Sequence, residues 1–320
     1  MASKRTLTRL RKAYEPIYKS LGRVELQRGK KALEEFDASE LFEEPNDLWL
    51  GFYTAEGIEL ALERYGVLDD IRARGFKKLD LELQMDDPDE HMVRIWSELP
   101  RCDEPLLELV ASRGMLHFGE ELADEFEASF VPVVTLHWAL MQNPLATFDG
   151  KRLPLPGQSH PGLGIAPQIM ALLANVARRL NATGLMTVPA HFSNAEMYSA
   201  TFRYVSPGVE GRFRALERDS FEALGDSLPR VSWAVNWGLV TDGRVDDDFE
   251  WFHEAMIWPI GEPFRSYFDS KRYKDAVDQA ASEHRFTVDK EAVQAWMARR
   301  GLTPWDKARV DTWLADQALT

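Results

Sequence analysis

The chain holds a single cysteine, Cys102, in 320 residues. That excludes an intramolecular disulfide and a four-cysteine zinc site, and it fits a reducing compartment. No apolar run approaches the ~20 residues of a membrane-spanning helix. The N-terminus also lacks the apolar centre of a signal peptide, so the expected location is the cytoplasm. The seven histidines show neither His-x-x-x-His nor His-Glu-x-x-His spacing, and no metal is expected. There is no Gly-x-Ser-x-Gly elbow, and Cys102 stands beside Asp103 and Glu104, which disfavour a thiolate. Internal repeats and low-complexity tracts are missing too. A basic surplus is lacking: 52 Asp and Glu outnumber 38 Lys and Arg, and the net charge of −14 argues against general nucleic-acid binding, which needs basic surface.

What remains is ordinary globular material, 45% hydrophobic and 28% charged, enough for one large domain or two small ones. The charge is uneven. Residues 1–31 carry ten basic side chains against Glu15 and Glu25, so this arm holds +8 and the remainder −22 of the total of −14. Three regions are expected: a basic helical arm over 1–40, an α/β core over 41–260 and a helical appendage over 261–320. In the arm, Leu7, Leu10, Tyr14, Ile17, Tyr18 and Leu21 recur at helical steps, interrupted by Pro16. It reads as a surface-docked helix, with a protein-binding arm as the alternative.

Further along, LWLGFYT (48–54) reads as a strand and Ala55 to Gly75 as one helix. KLDLELQ (78–84) and HMVRIWS (91–97) read as a hairpin around an acidic turn, whose carboxylates suit a solvated loop tip. EPLLELVASRG (104–114) reads as a short helix and 118–130 as an acidic linker or helix. FVPVVTLHWAL (130–140) has the uncharged character of a central strand. VSWAVNWGLV (231–240) and FEWFHEAMIWPI (249–260) read as two strands around an acidic connector, with Trp233, Trp237, Trp251 and Trp258 packed together in them. Residues 262–320 read as mainly helical, with Thr303 capping the last helix.

The most informative stretch lies at 155–181. A loop over 142–162 with four prolines and three glycines, too long for a passive connector, leads to Gly162 and Gly164. An amphipathic helix follows, with Ile165, Ile169, Leu172, Leu173, Val176 and Leu180 on one face. Pro167 is tolerated only in a first turn, which places the helix start near Ala166. Then comes the short strand LMTV (185–188). Strand, glycine loop, helix, strand leaves free backbone N–H groups at a helix N-terminus, where a phosphate can bind. A tight turn needing positive φ is the plainer explanation of the same glycines.

The ordered set Val133–Leu140, Gly162-Leu163-Gly164-Ile165-Ala166, the helix to Leu180, Leu185–Val188, then Asn194-Ala195-Glu196-Met197-Tyr198 with Phe202, is similar to the core of the GNAT acyltransferase superfamily. The likeness covers roughly residues 48–205. Three positions before the first glycine, where that family usually carries Arg or Gln, stands Ser159. The resemblance implies an α+β fold with a mixed, mostly antiparallel sheet flanked by helices. It also implies an acyl-CoA, such as acetyl-CoA, as co-substrate and a small-molecule or peptide amine as acceptor. The pyrophosphate would lie on the N–H groups of Gly162, Leu163, Gly164, Ile165 and Ala166. Tyr198 would protonate the departing thiolate and a backbone N–H of strand 131–140 would hold the oxyanion. Asn194 would bond the amide arm of the cofactor, although Asn is equally suited to cap a helix. His137 and His191, near strand ends, are candidates for the base that takes the amine's proton. A different class of reading is a non-catalytic scaffold or regulatory protein that binds a partner through the basic arm.

Overall fold

The computed structural model describes residues 4–28, 48–87, 89–118, 126, 129–149, 153–244 and 247–302. The expected helical end of the arm, most of the acidic segment after 118, and the Thr303 cap lie outside these residues. The chain forms two compact units: Met1–Pro144 with Gly162–Thr187 and Trp258–Phe264, and Leu145–Pro161 with Val188–Ile257 and Arg265–Thr320. This division cuts across the 1–40, 41–260 and 261–320 partition.

The first unit begins with helix α1 (Lys4–Ser20), which includes Pro16, and helix α2 (Arg23–Arg28). Leu7, Tyr14, Leu21 and Leu26 turn inward, as their spacing requires. The expected strand at 48–54 is instead a tight turn closed by the Trp49–Tyr53 backbone pair. It has no partner strand among the described residues, and its aromatic side chains Trp49 and Tyr53 serve as buried anchors. The single expected helix after it is two. Helix α3 (Ala55–Arg64) is capped by the Thr54 hydroxyl on Gly57 N–H, and α4 (Val67–Ala73) follows a left-handed Gly66.

Four strands come next: β1 (Lys77–Gln84), β2 (His91–Leu99), β3 (Leu107–His117) and β4 (Phe130–Met141), each antiparallel to the last. The β1–β2 hairpin forms as the alternation predicts. Strand β3 corrects the helix expected at 104–114. Its leucines fit a helical period, but flanking strands on both sides supply the pairing that decides a strand. Helix α5 (Ala166–Arg179) then crosses back to β5 (Gly184–Thr187), which lies parallel to β4 from Val133↔Gly184 to Leu136↔Thr187. Strand β9 (Met256–Pro259) is the other neighbour of β5. The protein is therefore mixed α+β with a large, mostly antiparallel sheet. Helix α1 is fastened to α5 by Arg178 on Glu15 at 2.8 Å and by Arg179 donating to the carbonyls of Tyr18 and Leu21.

The second unit contains helix α6 (Phe192–Tyr198) and strand β6 (Arg203–Tyr204), which pairs with the start of β9. Helices α7 (Pro207–Leu224) and α8 (Leu228–Asn236) follow, then strands β7 (Val240–Asp242) and β8 (Asp247–Asp248). Last come α9 (Phe264–Asp269), α10 (Lys271–Glu283), β10 (Phe286–Val288) and α11 (Lys290–Arg299), with the sheet order β10-β7-β8. Helix α8 corrects the strand expected from 231: Pro229 sits in its first turn, where proline is welcome, and Val231, Trp233, Ala234 and Val235 turn inward. Trp233 stacks on Trp237 at 5.0 Å and Trp251 on Phe252 at 4.8 Å, whereas Trp258 in the first unit lies under Arg11. Buried polar groups pin this unit. Asp242, fully buried, takes Arg212 and His284 Nδ1, each at 3.0 Å, and the Glu210 carboxylate accepts from Tyr204 N–H.

Candidate functional site

The centre of the first unit's site is the β4–α5–β5 crossover. The parallel ladder ends at Leu136↔Thr187, where the Thr187 hydroxyl donates to Leu136 O at 2.9 Å. Strand β4 runs on to Met141. At that point its register against β3 slips. Val110 faces Trp138 and Ala111 faces Leu136, so His137 is the extra residue of a β-bulge. A bulge re-aims its side chains, and here both His137 and Trp138 are exposed although residues 133–136 are buried. His137 Nε2 lies 2.8 Å from Ser112 Oγ.

The glycine turn follows the same strand. Gly162 bridges Gln142, and Leu163 N–H donates to Met141 O at 3.0 Å. That amide is thus spent on the fold, and the expected five-amide cradle contracts. Gly164 has φ 77°, a value that L side chains rarely adopt, and Ile165 is the helix N-cap. The N–H groups of Gly164, Ile165 and Ala166 have no acceptor among the described residues, and Pro167 has none to offer. Three donors converge at the start of a helix of 14 residues, where the dipole favours an anion.

One charge beside this turn was invisible in the sequence. Arg74, just past the end of α4, brings its guanidinium to 3.5 Å from Gly164 O, and a side chain on Gly164 would meet Arg74 Nη2 at 3.3 Å. Arg74 also donates to Asp70 O, while Asp70 accepts from Gln168 at 2.7 Å, tying α4 to the first turns of α5. Arg74 also forms an ion pair with Asp70 at 4.0 Å.

In the second unit, His191 is the N-cap of α6, so Asn194 lies in the first turn of the helix rather than at its cap. Burial, followed by the charge of His253, pushes the His191 imidazole down, keeping it neutral at pH 7. Tyr198 ends α6 with its ring 5.3 Å from that of Phe202. Burial raises its phenol, so it keeps the proton that a general acid needs. Glu196 on the same helix went unnoticed as a functional group. Burial, then the neighbouring Glu217, pushes its carboxyl up to about 8. The crossover, its three amides, His137 and Arg74 thus belong to the first unit, and His191, Asn194, Glu196 and Tyr198 to the second. Among the described residues no three His, Cys, Asp or Glu side chains are grouped as metal ligands, and no helix is long and apolar enough to cross a membrane. Burial and Asp103 raise the Cys102 thiol, as its acidic neighbours suggest.

No protein-family model matches the chain, and no curated protein matches it. Among solved structures it is similar to a mutant of KacT, at 10% identity over 38% of this chain and 85% of the other, with a TM-score of 0.25. It is also similar to AtaT complexed with acetyl-methionyl-tRNAfMet, at 10% identity over 60% of this chain and 99% of the other, with a TM-score of 0.26. Likeness at that level carries no argument about what this chain does.

Proposed function

We propose that the chain transfers an acyl group from an acyl-CoA to an amine. The observation that carries this reading is the trio of amides at Gly164, Ile165 and Ala166, without acceptors among the described residues, at the head of a βαβ crossover whose first strand outruns its parallel partner. A pyrophosphate fits that donor set, with Arg74 adding charge. The edge of β4 beyond Leu136 is the place for an extended amide arm and for the thioester carbonyl. The acyl-CoA supplies an activated acyl carbon. The first unit's own groups bind the phosphates and take the amine's proton at His137, beside the Ser112 hydroxyl, and that proton leaves with the sulfur. Attack forms the C–N bond, and collapse breaks C–S.

Calorimetric titration with acetyl-CoA tests the reading. Gly164→Val, which strains the turn and crowds Arg74, should weaken binding roughly tenfold or more while the protein melts as a folded chain. Undiminished affinity removes the cradle from the site, and no binding by the parent protein at millimolar ligand leaves the scaffold reading instead. His137→Ala should lower kcat by on the order of 100-fold with KM for acyl-CoA unchanged. An unaltered kcat takes His137 out of the mechanism.

A further inference from the structure

Away from the β4–α5–β5 crossover, the first unit holds a cavity of about 80 Å³ beneath α2, α3 and α5. Its walls are apolar, with Leu62, Leu109, Ile169 and Leu173 among them. Polar side chains also line it: Tyr53, Tyr65, Asn175 and Arg179. Tyr65 Oη already accepts from Asn175 at 3.3 Å. Tyr53 is only 5% exposed, and no side-chain hydrogen bond of its hydroxyl is found among the described residues, although that oxygen is not one of the fully buried unpaired atoms. Arg179 is equally unusual. Its Nη2 donates to two carbonyls and its guanidinium lies over the Tyr18 ring, yet it has no carboxylate partner among the described residues, whereas neighbouring Arg178 has Glu15.

An apolar-walled cavity fringed by a positive charge and an O–H donor has the complementarity of a small amphiphilic anion. We propose that this cavity binds a short-chain carboxylate, its carboxylate accepting from Tyr53 Oη–H beside Arg179 and its tail lying among Leu62, Leu109, Ile169 and Leu173. The volume limits the tail. It is roughly half that of an engineered apolar cavity of ~150 Å³ that takes up benzene, so the enclosed part is on the order of four carbons. The site stands apart from the acyl-transfer reading and survives its failure.

Hexanoate is the probe, titrated calorimetrically into the full chain. Binding is expected with Kd on the order of 0.1–1 mM, roughly tenfold weaker for hexan-1-ol, which has no charge for Arg179. Decanoate, too long for the cavity, should bind more weakly than hexanoate. Tyr53→Phe, which removes one oxygen and leaves the ring anchor, should weaken hexanoate roughly tenfold. Ala61→Leu fills the space from α3 and should abolish binding. Silence from the parent protein at about 10 mM hexanoate overturns the proposal. So does an affinity that climbs to decanoate, or one that Tyr53→Phe leaves intact. Should Ala61→Leu not fold, the Tyr53→Phe titration and the chain-length series decide.

Discussion

Gly211→Ala lowers the melting temperature by roughly 5 °C or more, the expectation for a net loss of about 2 kcal/mol in a chain of this size. Gly211 lies on α7 where α10 passes closest. A Cβ there would come within 2.5 Å of Ala280 Cβ and Val277 O and 2.8 Å of Ala281 N. Two of those three atoms are backbone, so no side chain can rotate away, and the helices must part. Parting is resisted from both ends of α10. Ser270 caps its start, the Tyr273 hydroxyl donates to Tyr204 O at 2.6 Å, and Arg218 on α7 reaches the carbonyls of Ala281 and His284. Alanine's better helix propensity, worth about 1 kcal/mol over glycine, opposes the clash without cancelling it. Gly208→Ala is the internal control. It lies on the same helix, and its Cβ would meet only Ser206 Oγ at 3.7 Å. That variant should melt at or slightly above the parent. Equal melting of both variants would mean that α7 and α10 do not pack at this distance.

The same close packing shows why parts of the fold were legible and others not. The β1–β2 hairpin, central strand β4 and helix α5 announce themselves through period and local punctuation, because each is specified within its own stretch. Strand β3 does not. Leu106, Leu107, Glu108 and Leu109 read as helix formers, and only pairing with β2 and β4 makes 107–117 a strand. Helix α8 errs in the opposite sense, since β-branched and aromatic residues crowd Val231–Trp237 and tertiary packing overrides them. The site divides likewise. The turn at Gly162–Ala166 was visible, because glycines, Pro167 and the helical period are all local. Arg74 was not, since it meets Gly164 across 90 positions of sequence. Nor was the bulge at His137, because a bulge is a property of the ladder between two strands.

Glu196→Gln stabilises the protein at pH 8 and leaves it nearly unchanged at pH 4. Helix α6 places Glu196 against Glu217 of α7, and its Oε2 is buried without a hydrogen-bond partner. Two carboxylates cannot both ionise there, and burial pushes Glu196 up to about 8 from its ordinary 4.5. The folded state therefore holds a proton that the unfolded state releases once the pH exceeds 4.5. Below that value both states are protonated and the group costs nothing. From 4.5 to about 8 the unfolded state ionises alone, so stability falls as the pH rises. Above about 8 the folded state ionises too, and the penalty is complete. Solvent screens a group that is only partly buried, and the loss is roughly 2–3 kcal/mol. Glutamine keeps the shape and one N–H₂ donor with no charge, so urea melts of the variant should lose this slope while the parent keeps it. The slope persisting in Glu196→Gln would assign it to another group, with Glu217→Gln as the next to test.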